Sequence, residues 1–145
     1  MGVSTRFARL SATERSLLPR LVLLVAVTRL ALWLVPFARI RSLFRQRPLA
    51  AAFHPNLVRL PIERLAWAVQ VASRPVPSAS CLTQSLVLQF LLTRSGQASS
   101  VQIGVAKNTD RGFQAHAWVE CAGRVLLDRP SATACYTRLA SFEAQ

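Results

Sequence analysis

The sequence predicts an α+β fold, with an amino-terminal helical region followed by a core in which one helix packs on a small antiparallel sheet. Three observations carry this. Up to Gly96 the apolar residues recur at helical spacing, and from Val101 onward they alternate with a period of two. Prolines at 36, 48, 55, 75 and 77 cut the first part into separate helices. At 145 residues the chain has room for one compact domain with a helical appendage. The expected division is a basic, apolar helical region over residues 1–50 and a core over residues 51–145.

Each element follows from local chemistry. Ser11 and Glu14 form a capping box, so a helix is expected from Ala12 to Val35, ended by Pro36. Leu21, Leu24, Val25, Thr28, Leu32 and Val35 form one stripe, while Leu23, Leu30 and Trp33 need other cover. A short helix from Phe37 to Arg45 places Phe37, Ile40 and Phe44 on one face. Residues 47–55 read as a linker, with His54 at the surface. Pro61 suits the first turn of a third helix, Ile62 to Ser73, striped by Leu65, Ala66, Val69 and Ala72. Ser80 is the expected N-cap of a fourth helix, Cys81 to Ser95, closed by Gly96 and striped by Leu82, Ser85, Leu86, Gln89, Phe90 and Leu92. Val101, Ile103 and Val105 mark a strand and Asn108 to Gly112 a turn. Two further strands follow, Phe113 to Glu120 and Arg124 to Asp128. Residues 131–145 carry only weak helical character.

Composition narrows the function. Residues 1–75 hold 12 Arg and two Glu, a net +10, against +2 for the remainder. Such a half can face nucleic acid, acidic lipid or an acidic protein. No zinc-ligand spacing, helix-turn-helix signal or aromatic RNA-binding motif accompanies it, which argues against nucleic acid. Cysteines at 81, 121 and 135 make an odd set without framework spacing, which points to a reduced, cytoplasmic protein. The run from Leu21 to Ala38 is long enough to span a bilayer, but Arg29 lies near its middle, where a charge costs about 2.5–3.5 kcal/mol. Pro36 interrupts it, and no small-residue cleavage site follows. A buried or partner-covered helix is favoured over a membrane span, and peripheral membrane contact stays open.

The candidate chemistry is Cys81 at a helix start, His116 in one strand and Asp128 in the next. A thiol attacks as the thiolate, which a helix amino terminus stabilises, and a histidine oriented by a carboxylate can take and return the proton. A three-residue loop Cys121-Ala122-Gly123 would set Glu120 opposite Arg124, Trp118 opposite Leu126 and His116 opposite Asp128, all on one face. A two-residue Ala122-Gly123 loop would put Asp128 opposite Ala117, on the wrong face; the glycine position favours the longer loop. Trp118 shares the His116 face and either walls the site or packs in the core. Gln70 and Gln84 are the amides near enough in sequence to supply an oxyanion donor beside the Cys81 backbone N–H. No metal or organic cofactor is expected.

The pattern Cys81-Leu82-x-x-Ser85-Leu86-x-Leu88-x-x-Leu91-Leu92, then Ile103-Gly104-Val105, Gly112-Phe113, Ala115-His116-Ala117-Trp118-Val119-Glu120 and Gly123-Arg124, resembles a known family. It is similar to the leader peptidase of lasso peptide biosynthesis, the stand-alone protease half of the processing enzyme. Leu65-Ala66-Trp67-Ala68-Val69 and the Arg-rich helical region before Arg45 share the likeness. The resemblance implies a transglutaminase/papain-like core and a triad of Cys81, His116 and Asp128. It also implies a leader-recognition protein, a precursor peptide cut after a leader whose penultimate residue is threonine, and a lasso cyclase that uses the freed amine. Thr83-Gln84-Ser85 departs from the proline or alanine that members often carry there. Two other functions stay open on the residues alone. One is acyl transfer by the same triad; the other is a basic, membrane-associated scaffold protein.

Overall fold

The computed structural model describes residues 12–45 and 60–143. Ser11, the expected linker 47–55 and His54 lie outside the described residues, as do the side chains of Glu14 and Phe44. The described elements are α1 (Ala12–Leu34), α2 (Phe37–Arg45), α3 (Ile62–Ser73), α4 (Cys81–Arg94), β1 (Ser99–Asn108), β2 (Gly112–Cys121), β3 (Arg124–Leu126), α5 (Pro130–Thr133) and β4 (Thr137–Glu143). The sheet is antiparallel in the order β3-β2-β1-β4.

Helix α1 follows the expected stripe. Leu17, Leu21, Leu24, Val25 and Thr28 are buried against α3 and α4, whereas Leu23, Val27, Leu30, Trp33 and Leu34 are exposed. By length and composition it is also a helix that could cross a membrane, although Leu21, Leu24 and Val25 enter one hydrophobic cluster with Leu65, Val69, Leu88 and Leu91. In α3 the expected residues Leu65, Ala66, Val69 and Ala72 are all buried. Helix α4 departs from a one-sided stripe: Thr83, Val87, Leu88 and Leu91 are buried as well as Ser85, Leu86, Phe90 and Leu92. It lies between the other helices and the sheet, so it is apolar nearly all round. Gln89 breaks that pattern with a purpose, since its Nε2 donates to the carbonyls of Phe142 (2.7 Å) and Ser99 (3.3 Å) and ties the helix to β4 and β1.

Residues 131–143 correct the sequence expectation of weak helix over 131–145. Only Pro130–Thr133 is helical, and Thr137–Glu143 is a strand paired with β1. Its inward positions, Ala140 and Phe142, are too few to print an alternating signal, and the partner strand lies far away in sequence. Phe142 also receives α2, through an edge-on contact with Phe37 (5.2 Å between centroids) and the Arg41 guanidinium 4.6 Å above its ring.

The β2–β3 hairpin also corrects the expected register. Cys121 pairs with Arg124, Glu120 with Val125 and Val119 with Leu126, so the loop is the two-residue Ala122-Gly123 turn. Both residues have positive φ, 50° and 72°, as a primed turn requires. The expected Glu120–Arg124 pair is absent. Arg124 instead meets Glu63 of α3 at 2.6 Å, and Glu120 meets Arg138 of β4 at 2.6 Å.

Candidate active site

The site is built at three places on this frame. Cys81 is the first residue of α4, half-buried. Ser80 caps that helix, its Oγ accepting from the Thr83 N–H at 3.3 Å. The first-turn N–H groups of such a helix have no partner within it and favour a negative charge. Helix α4 packs on β2 through the face that carries Val119 and Cys121, the face opposite His116. Among the described residues no hydrogen bond joins the Cys81 thiol to His116.

His116 stands in the first half of β2, on the sheet face shared with Trp118 and Glu120; Val119 and Cys121 point the other way, into the helical core. Its Nε2 is bonded to the Asp128 carboxylate, with both side chains about a quarter exposed. A shifted hairpin register should have carried Asp128 to the core face. Leu127 prevents this. It adopts φ 71°, left-handed and unusual for a non-glycine residue, so strand alternation stops after Leu126. Leu126 and Leu127 both turn toward the core, and Asp128 swings back to the histidine.

Trp118 lies beneath the histidine and is not at the surface. It is 1 % exposed and stacks on His116 with centroids 6.2 Å apart. Its Nε1 donates to Glu120 at 3.1 Å, and the Arg138 guanidinium sits 5.9 Å over its ring. Gly104, the β1 partner of His116, admits the indole: a Cβ there would lie 3.0 Å from two ring carbons and from the Thr137 carbonyl. Tyr136, absent from the sequence reading, adds a second aromatic neighbour 5.2 Å from the His116 ring. It precedes a strand that sequence did not reveal, so nothing in its surroundings marked it.

The remaining candidates have other employment. Gln70 Nε2 donates to the Leu127 carbonyl at 2.9 Å, which commits that amide to the turn before Asp128. Cys121 is buried in the core, where loss of solvent pushes its thiol up. Cys135 is exposed, with its Sγ 3.1 Å from the Ala132 carbonyl. No group of three metal-ligating side chains occurs among the described residues.

Residues 21–141 match the family model of the transglutaminase-like superfamily. The chain belongs to that superfamily. The matched span runs from α1 into β4, so it includes Cys81, His116 and Asp128 together with every described strand. Neither a curated protein nor a solved structure matches the chain significantly. Membership in the transglutaminase-like superfamily supports activity of the cysteine-protease or acyl-transfer type.

Proposed function

We propose that this chain is a cysteine peptidase that removes the leader from a ribosomally made lasso peptide precursor, with Cys81 as nucleophile, His116 as base and acid, and Asp128 as orienter. The His116–Asp128 bond, which joins β2 to the turn after β3, is the observation that supports it most. Because Asp128 occupies Nε2, Nδ1 is the ring nitrogen left for the thiol proton. The thiolate adds to the scissile carbonyl at the leader–core junction. The backbone N–H of Cys81, on the first turn of α4, donates to the oxyanion. Collapse of the intermediate expels the core amine, which takes the proton from His116, and water then attacks the acyl-enzyme to free the leader acid. Asp128 holds the imidazole ring and stabilises the imidazolium formed on the way.

The same reading gives the exposed face of α1 a role. Leu23, Val27, Leu30 and Leu34 fall on one line at helical spacing, and a leader-recognition protein docked there would cover them. A cyclase would then use the freed amine. The test is incubation of the full chain with a lasso precursor peptide, with and without the recognition protein, and mass analysis of the products. A free leader acid and core amine are expected. Cys81→Ala and His116→Ala should abolish them, and Asp128→Asn should fold yet lose turnover by orders of magnitude. A new amide in place of hydrolysis products would make the enzyme an acyltransferase, and unchanged cleavage by Cys81→Ala would remove the peptidase reading.

A further inference from the structure

We propose that α3 is a two-point clamp on β3 and that Gln70 is a positioning residue for Asp128. The inference rests on the reading of His116 and Asp128 as a working pair. Strand β3 is three residues long and has β2 as its only sheet partner among the described residues, so the sheet alone holds it weakly. Helix α3 grips it at both ends. Near its start, Glu63 Oε1 meets the Arg124 guanidinium at 2.6 Å, and just past its end Gln70 Nε2 donates to the Leu127 carbonyl at 2.9 Å. The spacing fits. Seven helical residues advance about 10.5 Å, and three extended residues from Arg124 to Leu127 advance about 10 Å.

The second grip bears on the chemistry. A leucine at φ 71° is held in a conformation it disfavours, and that conformation turns Asp128 toward His116. Two things hold it there: the packing of Leu127 on the core and the Gln70 amide on its carbonyl. Without the amide, the peptide after Leu127 is free to relax toward extended backbone, which carries the carboxylate away from the imidazole. Gln70 is itself exposed, so replacing it leaves the core intact.

The experiment measures the rate of Cys81 alkylation by iodoacetamide across pH in the full chain, which needs no peptide substrate. Gln70→Ala and Gln70→Met lack the donor without adding a charge and should displace the pH profile in the same direction as Asp128→Asn, by a smaller amount, with several-fold changes in rate at neutral pH. A residue that merely stabilised the fold would leave the profile of the folded protein unmoved. Profiles of Gln70→Ala and Gln70→Met that overlay the wild type, while Asp128→Asn departs from it, would overturn the clamp alone. An Asp128→Asn profile that overlays the wild type would overturn both the clamp and the pair. A clamp-dependent profile in a chain that cleaves no peptide would support the clamp and remove only the peptidase reading.

Discussion

Cys81, Cys121 and Cys135 sit in three different environments, and their chemistry should differ accordingly. Cys81 is the first residue of a helix, Cys121 is 3 % exposed and its thiol is pushed up by burial, and Cys135 is open to solvent at the end of a single helical turn. At neutral pH iodoacetamide should label Cys81 first, Cys135 more slowly and Cys121 only on unfolding, as peptide mass mapping would show. Labelling of Cys135 ahead of Cys81 would count against the nucleophile. A second prediction concerns Gly104. A methyl there meets the Trp118 ring at 3.0 Å with the Thr137 carbonyl closing the other side, so Gly104→Ala should cost about 1–3 kcal/mol of stability. Because Trp118 underlies His116, turnover should fall further than stability explains. Thermal melts beside peptide cleavage would separate the two. At this scale the sequence was legible where chemistry is scarce: with two histidines and six acids, few pairings exist. The path to Asp128 was not legible, because a left-handed leucine carries no mark in sequence.

Helices α1 and α3 could be read in advance, since each buries an apolar face that its own spacing prints, and α4 from its Ser80 cap and the glycine that follows it. Strand β4 could not, as its identity comes from pairing with β1. The hairpin register failed on turn chemistry: Ala122 accepts φ 50°, a conformation that the sequence reading reserved for Gly123. The salt bridge from α3 to β3 gives an element-scale prediction. A hydrogen bond to its own backbone N–H, and then the Arg124 guanidinium, hold the Glu63 carboxyl below the usual carboxylate range. A depressed carboxylate stabilises the fold above its unfolded value and loses that contribution as pH falls through the folded one. The melting temperature of Glu63→Gln should therefore lie slightly below wild type at neutral pH, and the difference should vanish in strong acid. The effect is small because both partners are more than half exposed. A difference that persisted in strong acid would mean packing, not charge, links α3 to β3.

One hydrophobic cluster runs through the described residues, and α1 supplies Leu17, Leu21, Leu24 and Val25 to it. Each such side chain contributes about 1.5–3 kcal/mol when fully buried, so together they rival the margin of roughly 5–15 kcal/mol on which a domain stands. Deleting residues 1–50 should leave an aggregation-prone chain without a cooperative melt, measurable by circular dichroism and gel filtration. A soluble truncated chain that still cleaved a presented leader at full rate would show that this region neither completes the core nor docks the partner. The sheet order has a consequence for synthesis. Because β4 pairs with β1, a nascent chain that has made the β1–β2–β3 meander still shows one bare edge of β1 to its neighbours on the polysome. Residues 137–143 close that edge, and Tyr136 arrives beside His116 just before them. The long edge of β1 therefore stays open to other chains until residues 137–143 have been made. A chain halted at Ala134 should self-associate on light scattering, whereas a monomeric one would mean that α2 or another segment guards the edge until β4 emerges.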